Sequence, residues 1–232
     1  MPGQFPQSAL CSASAPALVS ILIVAGEPAW GSGMRLLTQD AYAAARGEAF
    51  VATADNPSAI YYNPAGLTQL GAGHSYRTGL YALYFEPTFQ APDDAANAGN
   101  TYDIDVNHAV VPQLFYSYKP KTGKFTYGLG VYSPHGASVE WPEDTGFRAI
   151  SISGDLLYIR VNPVVAYEVT PCFSVAAGLV LDYADLSLRQ GTTAFPSQTR
   201  RLDFVFDGDG IGSSFNLGVH WKPDPKWAFG AT

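Results

Sequence analysis

At 232 residues and 47% hydrophobic composition, the chain is long enough for one large all-β domain or two small ones. Charged residues make up only 14%, against roughly 25% in typical soluble domains, while aromatics reach 13% with 14 Tyr, and Gly numbers 23; a weakly charged chain rich in Tyr and Gly suits a membrane barrel or a sandwich. The formal charge of −7, with no Lys/Arg cluster beyond Arg200-Arg201, excludes nucleic acid as a partner, and Cys11 and Cys172 give neither a disulfide framework nor metal-type spacing, Cys172 standing alone once a leader is removed.

Residues 9 to 26 hold the continuous apolar run, and its strong part from Ala17 to Gly26 has the length of a secretory h-region. It is shorter than the roughly 20 residues a membrane helix needs. Small residues at Ala29 and Gly31 point to cleavage before Ser32, so residues 1–31 read as a signal peptide. No Lys or Arg precedes the run, and a buried core segment is the alternative. Thr38 to Phe50 is Ala-rich and predicts a helix capped by Thr38, ending near Gly47 and small enough to pack in a confined space. Two Asn-Pro pairs follow. Asn56 and Asn63 are suited to accept a bond from the free N–H groups of a new turn, while Pro57 and Pro64 preset φ, so short helical turns are expected at Ser58 to Tyr62 and Ala65 to Leu70. Residues 32–71 therefore form a small helical plug, or hatch, in front of whatever follows.

From Gly73 the period changes to two. The strand expectations are Gly73 to Phe89, Asn107 to Lys119, Phe125 to Tyr132, Leu156 to Val169, Phe173 to Arg189, Ile211 to Lys222, and a seventh starting at Trp227. The third is the cleanest: Phe125, Tyr127, Leu129 and Val131 alternate with Thr126, Gly128, Gly130 and Tyr132. Tight turns at Pro120 to Gly123, Thr170-Pro171 and Pro223 to Pro225 alternate with long loops at Gln90 to Val106, Pro134 to Gly154 and Gln190 to Gly210. Short turns at one end and long loops at the other mark an outer-membrane barrel. The bulky face meets lipid, because the opposite face of Gly, Ser, Thr, Asn and isolated charges is too weakly charged for an exterior and suits a plugged lumen. The chain is thus read as an all-β transmembrane antiparallel barrel over 72–232 with a helical hatch. Pro134 and the glycines of GLGVYSPHG mark either a gap in the wall or plain strand termination. Asp207-Gly208-Asp209-Gly210 reads as a turn, since a calcium loop needs a carboxylate where Gly218 stands. No cofactor or metal is implied.

The segments Ser32-Gly33, AARGEAFVATADNPSAIYYNPAGL, PQLFYSYKP, GLGVYSPHG and LLYIRVNPVVAYEV, with the Gly-Trp pattern after Asp207, resemble the FadL-type outer-membrane transporters of long-chain fatty acids and aromatic hydrocarbons. The resemblance implies a 14-stranded barrel stoppered by an N-terminal hatch, whose signature falls on Asn63, Pro64 and Ala65. It further implies a kinked third strand that opens the wall sideways near Gly128, Gly130, Pro134 and Gly136. Seven strands are present where that family has fourteen, so the chain reads as an N-terminal half, a fragment or one completed by a second chain. Localisation in the Gram-negative outer membrane follows, with outer-membrane lipid and a hydrophobic molecule such as a long-chain fatty acid as partners.

Passive transport is the leading functional expectation, with Trp141, Phe147 and Phe195 of the outer loops as candidate ligand contacts or interface anchors, and Arg160 as a candidate carboxylate contact or an internal partner of Glu168 or Asp182. A hydrolase is disfavoured because there is no Gly-x-Ser-x-Gly elbow and the four His lie on different segments. A structural or adhesive surface barrel is the alternative.

Overall fold

The computed structural model describes residues 35–36, 38–91, 93, 98–105, 108–192 and 202–232; the expected leader lies outside them. Ten strands are described: β1 Gly73–Tyr84, β2 Thr88–Gln90, β3 Thr101–Asp103, β4 His108–Lys119, β5 Phe125–Tyr132, β6 Ala137–Glu140, β7 Ser153–Thr170, β8 Phe173–Gly191, β9 Asp203–Asp224 and β10 Trp227–Ala231. The main sheet runs β1-β4-β5-β7-β8-β9-β10, antiparallel throughout, with β6 added to β7 and β2–β3 forming a separate small hairpin. Long strands therefore pair with the next long strand in sequence, as tight turns at one end require. No described helix is long and apolar enough to cross a membrane, which says nothing about strands.

The alternation of bulky and small residues becomes two faces. Leu129, Leu179 and Leu217 are 41%, 51% and 57% exposed on the convex side, while Phe115, Thr126 and Asn162 are fully buried on the other. A continuous apolar surface of this kind is costly in water and belongs in hydrocarbon. The buried face is covered by the hatch, residues 35–36 and 38–71, which contains helix α1 (Ala41–Ala44), helix α2 (Ala59–Tyr62) and a 3-10 helix over Pro64–Gln69. Ile60 and Leu67 of the hatch share one apolar cluster with Phe115, Tyr132, Val164, Ala166 and Ala176 of the wall.

Several boundaries differ from those expected. The helix expected across Thr38 to Phe50 is one turn, Ala41–Ala44, capped by Asp40 rather than Thr38, and the chain then runs through turns in which Gly47 and Glu48 have φ of 62° and 64°. The first strand stops at Tyr84, short of Phe89, where Pro87 interrupts the run. A short strand, β6, occupies part of the expected loop from Pro134 to Gly154. Asp207 to Gly210 is not a turn: it is strand, paired residue for residue with Ser187 to Ala184. The β8–β9 hairpin continues to Gly191↔Asp203, well past an apolar band of about 25 Å, so β9 can carry exposed carboxylates there without entering lipid. Cys172, expected to stand alone, is disulfide-bonded; Cys11 lies outside the described residues.

Candidate functional site

The site has two parts, a tight seat that holds the hatch and a break in the wall beside it. The seat is organised by Asn63, which is fully buried. Its Oδ1 accepts from the Ala65 N–H at 3.2 Å and caps the 3-10 helix, with Pro64 in the first turn. Its Nδ2 donates to the Val51 and Val219 carbonyls, both at 2.9 Å, so one side chain ties a hatch loop to the wall. Such proximity requires glycine opposite. A Cβ on Gly218 would lie 2.5 Å from Asn63 Oδ1, 2.9 Å from Pro64 Cδ and 3.0 Å from the Ala65 nitrogen; one on Gly230 would lie 2.8 Å from Asn63 Nδ2. Further ties are Thr68 to Ser174 at 2.7 Å, His220 Nε2–H to the Ala52 carbonyl at 2.9 Å, and Lys119 Nζ to the Thr68 carbonyl at 2.5 Å.

On the β1 side the hatch is held by charge. The buried Asp40 accepts from Arg77 Nε and Nη2 at 2.9 and 2.7 Å through Oδ1, and from Asn56 and Ser58 at 2.9 and 3.0 Å through Oδ2. Within the hatch, Tyr62 donates to Glu48 at 2.7 Å and accepts from the Gln39 N–H at 3.2 Å. Burial is the largest effect pushing the Tyr62 hydroxyl above the usual phenol range, and the neighbouring Glu48 pushes the same way.

The break lies between β4 and the segment after β5. Pairing of β4 with β5 ends at Leu114↔Val131, yet β4 continues to His108 paired only with β1, and β6 pairs only with β7. Farther out, the Asp105 N–H donates to the Glu140 carbonyl at 2.7 Å, so the break is a window bounded at both ends. A cavity of about 820 Å³ fills it. Leu83, Val111, Tyr132 and Tyr158 line it from the inward face, and Tyr84, Val110, Leu157 and Ile159 from the outward face, so the cavity passes through the sheet. Its inner margin belongs to the hatch: Leu36 lines the cavity, its N–H donates to the Pro134 carbonyl at 2.8 Å, and Arg35 bridges to His135.

The expected site residues divide accordingly. Asn63, Pro64 and Ala65 are brought together at the seat. Gly128 and Gly130, expected at the opening, are fully paired on both sides, to Ser117 and Phe115 of β4 and to Val164 and Asn162 of β7. They leave room for the hatch, since a Cβ on Gly128 would lie 2.9 Å from Leu67 and one on Gly130 2.9 Å from Ile60. Pro134 and Gly136 do stand at the break, beyond the end of β5. Trp141 and Phe147 meet edge to face, with centroids 5.2 Å apart, in a cluster with Phe89 and Tyr102 that does not line the cavity. Phe195 lies outside the described residues. Arg160 is engaged by Asp182 through two bonds of 2.6 and 2.9 Å, so its charge is already answered, while Glu168 faces Lys119 at 3.7 Å. The sequence reading missed Gly218, Gly230, Asp40, Arg77 and Leu36. Gly218 and Gly230 were visible only as small members of an alternating strand.

Comparison with known proteins gives the same architecture. The profile of a family described as outer membrane protein transport protein (OMPP1/FadL/TodX) matches residues 22–232. An outer membrane protein of Neisseria meningitidis serogroup B is 32% identical over 124 residues, covering 50% of this chain and 26% of the relative. Among solved structures, a Pseudomonas aeruginosa FadL homologue superposes with a TM-score of 0.58 at 19% identity, over 73% of this chain and 45% of that one. The P. putida toluene transporter TodX gives 0.58 at 17%, over 73% and 49%. The chain thus spans less than half the length of the solved structures it matches.

Proposed function

Because the chain belongs to the outer membrane protein transport family (OMPP1/FadL/TodX), we propose that it passes hydrophobic small molecules, long-chain fatty acids or monoaromatic hydrocarbons, across the Gram-negative outer membrane without covalent chemistry. The observation that carries this reading is the cavity whose lining comes from both faces of the sheet. A molecule inside it has apolar contact on the lumen side and an open route to lipid on the other, so it leaves laterally and need not enter water. Burying each CH₂ is worth about 0.8 kcal/mol, so capture is easily supplied and release is the harder step. Leu36 gives the hatch a hold on that step, because shifting residues 35–36 removes one wall of the cavity. The Trp141–Phe147 cluster at the outer loops offers the first apolar contact, and further strands pairing with the edges β1 and β10 would complete the barrel. An adhesive barrel has no use for such a cavity.

The test fills the window without disturbing the seat. A Cβ on Gly136 meets nothing closer than 3.7 Å, and Gly136 lines the cavity, so Gly136→Trp is accommodated there. Uptake of a radiolabelled long-chain fatty acid into whole cells should fall about tenfold, the effect of roughly 1.4 kcal/mol on the limiting step, at unchanged surface abundance. Unchanged uptake by a correctly inserted variant would count against lateral exit.

A further inference from the structure

Beside the apolar cavity lies a second, smaller space of about 80 Å³, lined by Gln39, Asp40 and Ala41 of the hatch and by Arg77 to Tyr81 and Gln113 of the wall. The two spaces adjoin. Gln39, which lines the small one, donates through Nε2 to the carbonyl of Ser133, which lines the large one, at 2.9 Å. Tyr81 and Gln113 sit one inward position along their strands from Leu83 and Val111. The linings differ in kind: the large cavity is almost wholly apolar, whereas the niche is polar and contains buried polar atoms without a hydrogen-bond partner among the described residues. Gln39 is fully buried, its Nε2 hydrogens go to the Leu36 and Ser133 carbonyls at 3.2 and 2.9 Å, and its Oε1 has no partner among the described residues. Those two bonds fix the amide orientation, so an acceptor and not a donor is presented. Gln113, 7% exposed, also has an unpartnered buried Oε1, and the buried Tyr81 hydroxyl, which can donate or accept, is the third such atom of the lining, so a cargo hydroxyl can donate to an amide oxygen and accept from Tyr81.

We propose that this niche is a headgroup site, and that the preferred cargo is a neutral amphiphile whose polar end donates a hydrogen bond, a long-chain alcohol or phenol. This rests on the reading of the large cavity as the tail site. An anionic head is disfavoured, because the cation lining the niche, Arg77, is already paired with Asp40 through Nε and Nη2, and an anion there would face the Asp40 carboxylate and two unpartnered amide oxygens with the Tyr81 hydroxyl as the buried unpartnered donor. A purely apolar head leaves Gln39 Oε1 buried and unpaired, whereas a hydroxyl donates to it. The niche has the volume of two or three liquid waters at about 30 Å³ each, which suits a hydroxyl and not a bulky headgroup.

Competition binding to the whole protein in lipid nanodiscs tests this with tetradecanol, its methyl ether, tetradecane and tetradecanoate. Tetradecanol should bind about tenfold tighter than the ether, which accepts but cannot donate, and tighter than tetradecanoate. Gln39→Met should remove that advantage while leaving tetradecane affinity within about twofold. Equal affinity for alcohol and ether, tighter binding of the anion, or an equal loss for all four ligands in Gln39→Met would overturn the headgroup site. Should Gln39→Met fail to fold, the alcohol-to-ether ratio of the unaltered protein decides alone. Failure of tetradecane itself to bind would overturn the underlying cavity reading instead.

Discussion

The seat and the window lie on the same sheet, a few residues apart, and use glycine in opposite ways. At the seat, Gly128 and Gly218 are small because the hatch packs onto them, and any side chain would strike Leu67 or Asn63. At the window, Gly136 has nothing closer than 3.7 Å to where its Cβ would stand. The seat is a packed interior, in which a single methylene is felt; the window is a deliberate failure of packing. A plugged pore needs both: rigid contact where the stopper must not leak, and unfilled apolar space where cargo must move.

The largest effect is expected at the seat. Gly218→Leu places its Cβ 2.5 Å from Asn63 Oδ1 and against the Ala65 backbone, where neither neighbour can swing aside, and should cost about 3 kcal/mol of hatch docking. Proteolysis near Val51 and outer-membrane permeability to bulky antibiotics would both rise; an intact, protease-resistant hatch would break the comparison. Asn63→Ala comes next, losing its bonds to the Val51 and Val219 carbonyls and the cap on Ala65. The cost is about 2–3 kcal/mol, read as faster amide exchange across Pro64–Gln69. A sharper test pairs alanines. Gly128→Ala meets Val164 at 2.7 Å and Leu67 at 2.9 Å, flexible side-chain ends that yield for about 1–2 kcal/mol. Gly136→Ala should change hatch exchange by no more than about 0.5 kcal/mol. Equal effects would mean that seat and window are not distinct environments.

The wall was legible in the sequence because period-two alternation survives any tertiary context: the outward residues Leu129, Leu179 and Leu217 are read from neighbours in the chain. Asn63 was legible because an Asn-Pro pair is a local capping signal. What Gly218 and Gly230 do was not, since their reason for being glycine lies more than 150 residues away at Asn63. The same limit hid which part of the stretch from Gly128 to Gly136 is unpaired. Gly128 and Gly130 look like weak points in a strand, but their partners on β4 and β7 are set by register, which no single segment states. Asp207 to Gly210 misled in the other direction: turn-forming residues became strand because β8 supplied a partner for every one.

The smallest effect comes from inside the hatch and sharpens the comparison through pH. Tyr62→Phe removes the donation to Glu48 at 2.7 Å and the acceptor for the Gln39 N–H at 3.2 Å, costing about 1 kcal/mol near neutrality. In the folded hatch the phenol is held above its ordinary range, chiefly by burial, so the neutral form is favoured over the unfolded chain's value of about 10. The stability this residue contributes is therefore complete below pH of about 10 and is lost as pH rises further, at close to 1.4 kcal/mol per unit. The difference in slope between the two proteins therefore reports the loss of the Tyr62 phenol. Hatch exchange followed from neutral to alkaline pH should show the unaltered protein ahead at first, and its advantage closing by about pH 11. Parallel curves would mean that Tyr62 is not sealed in the hatch, and that this end of the seat is as open as the window.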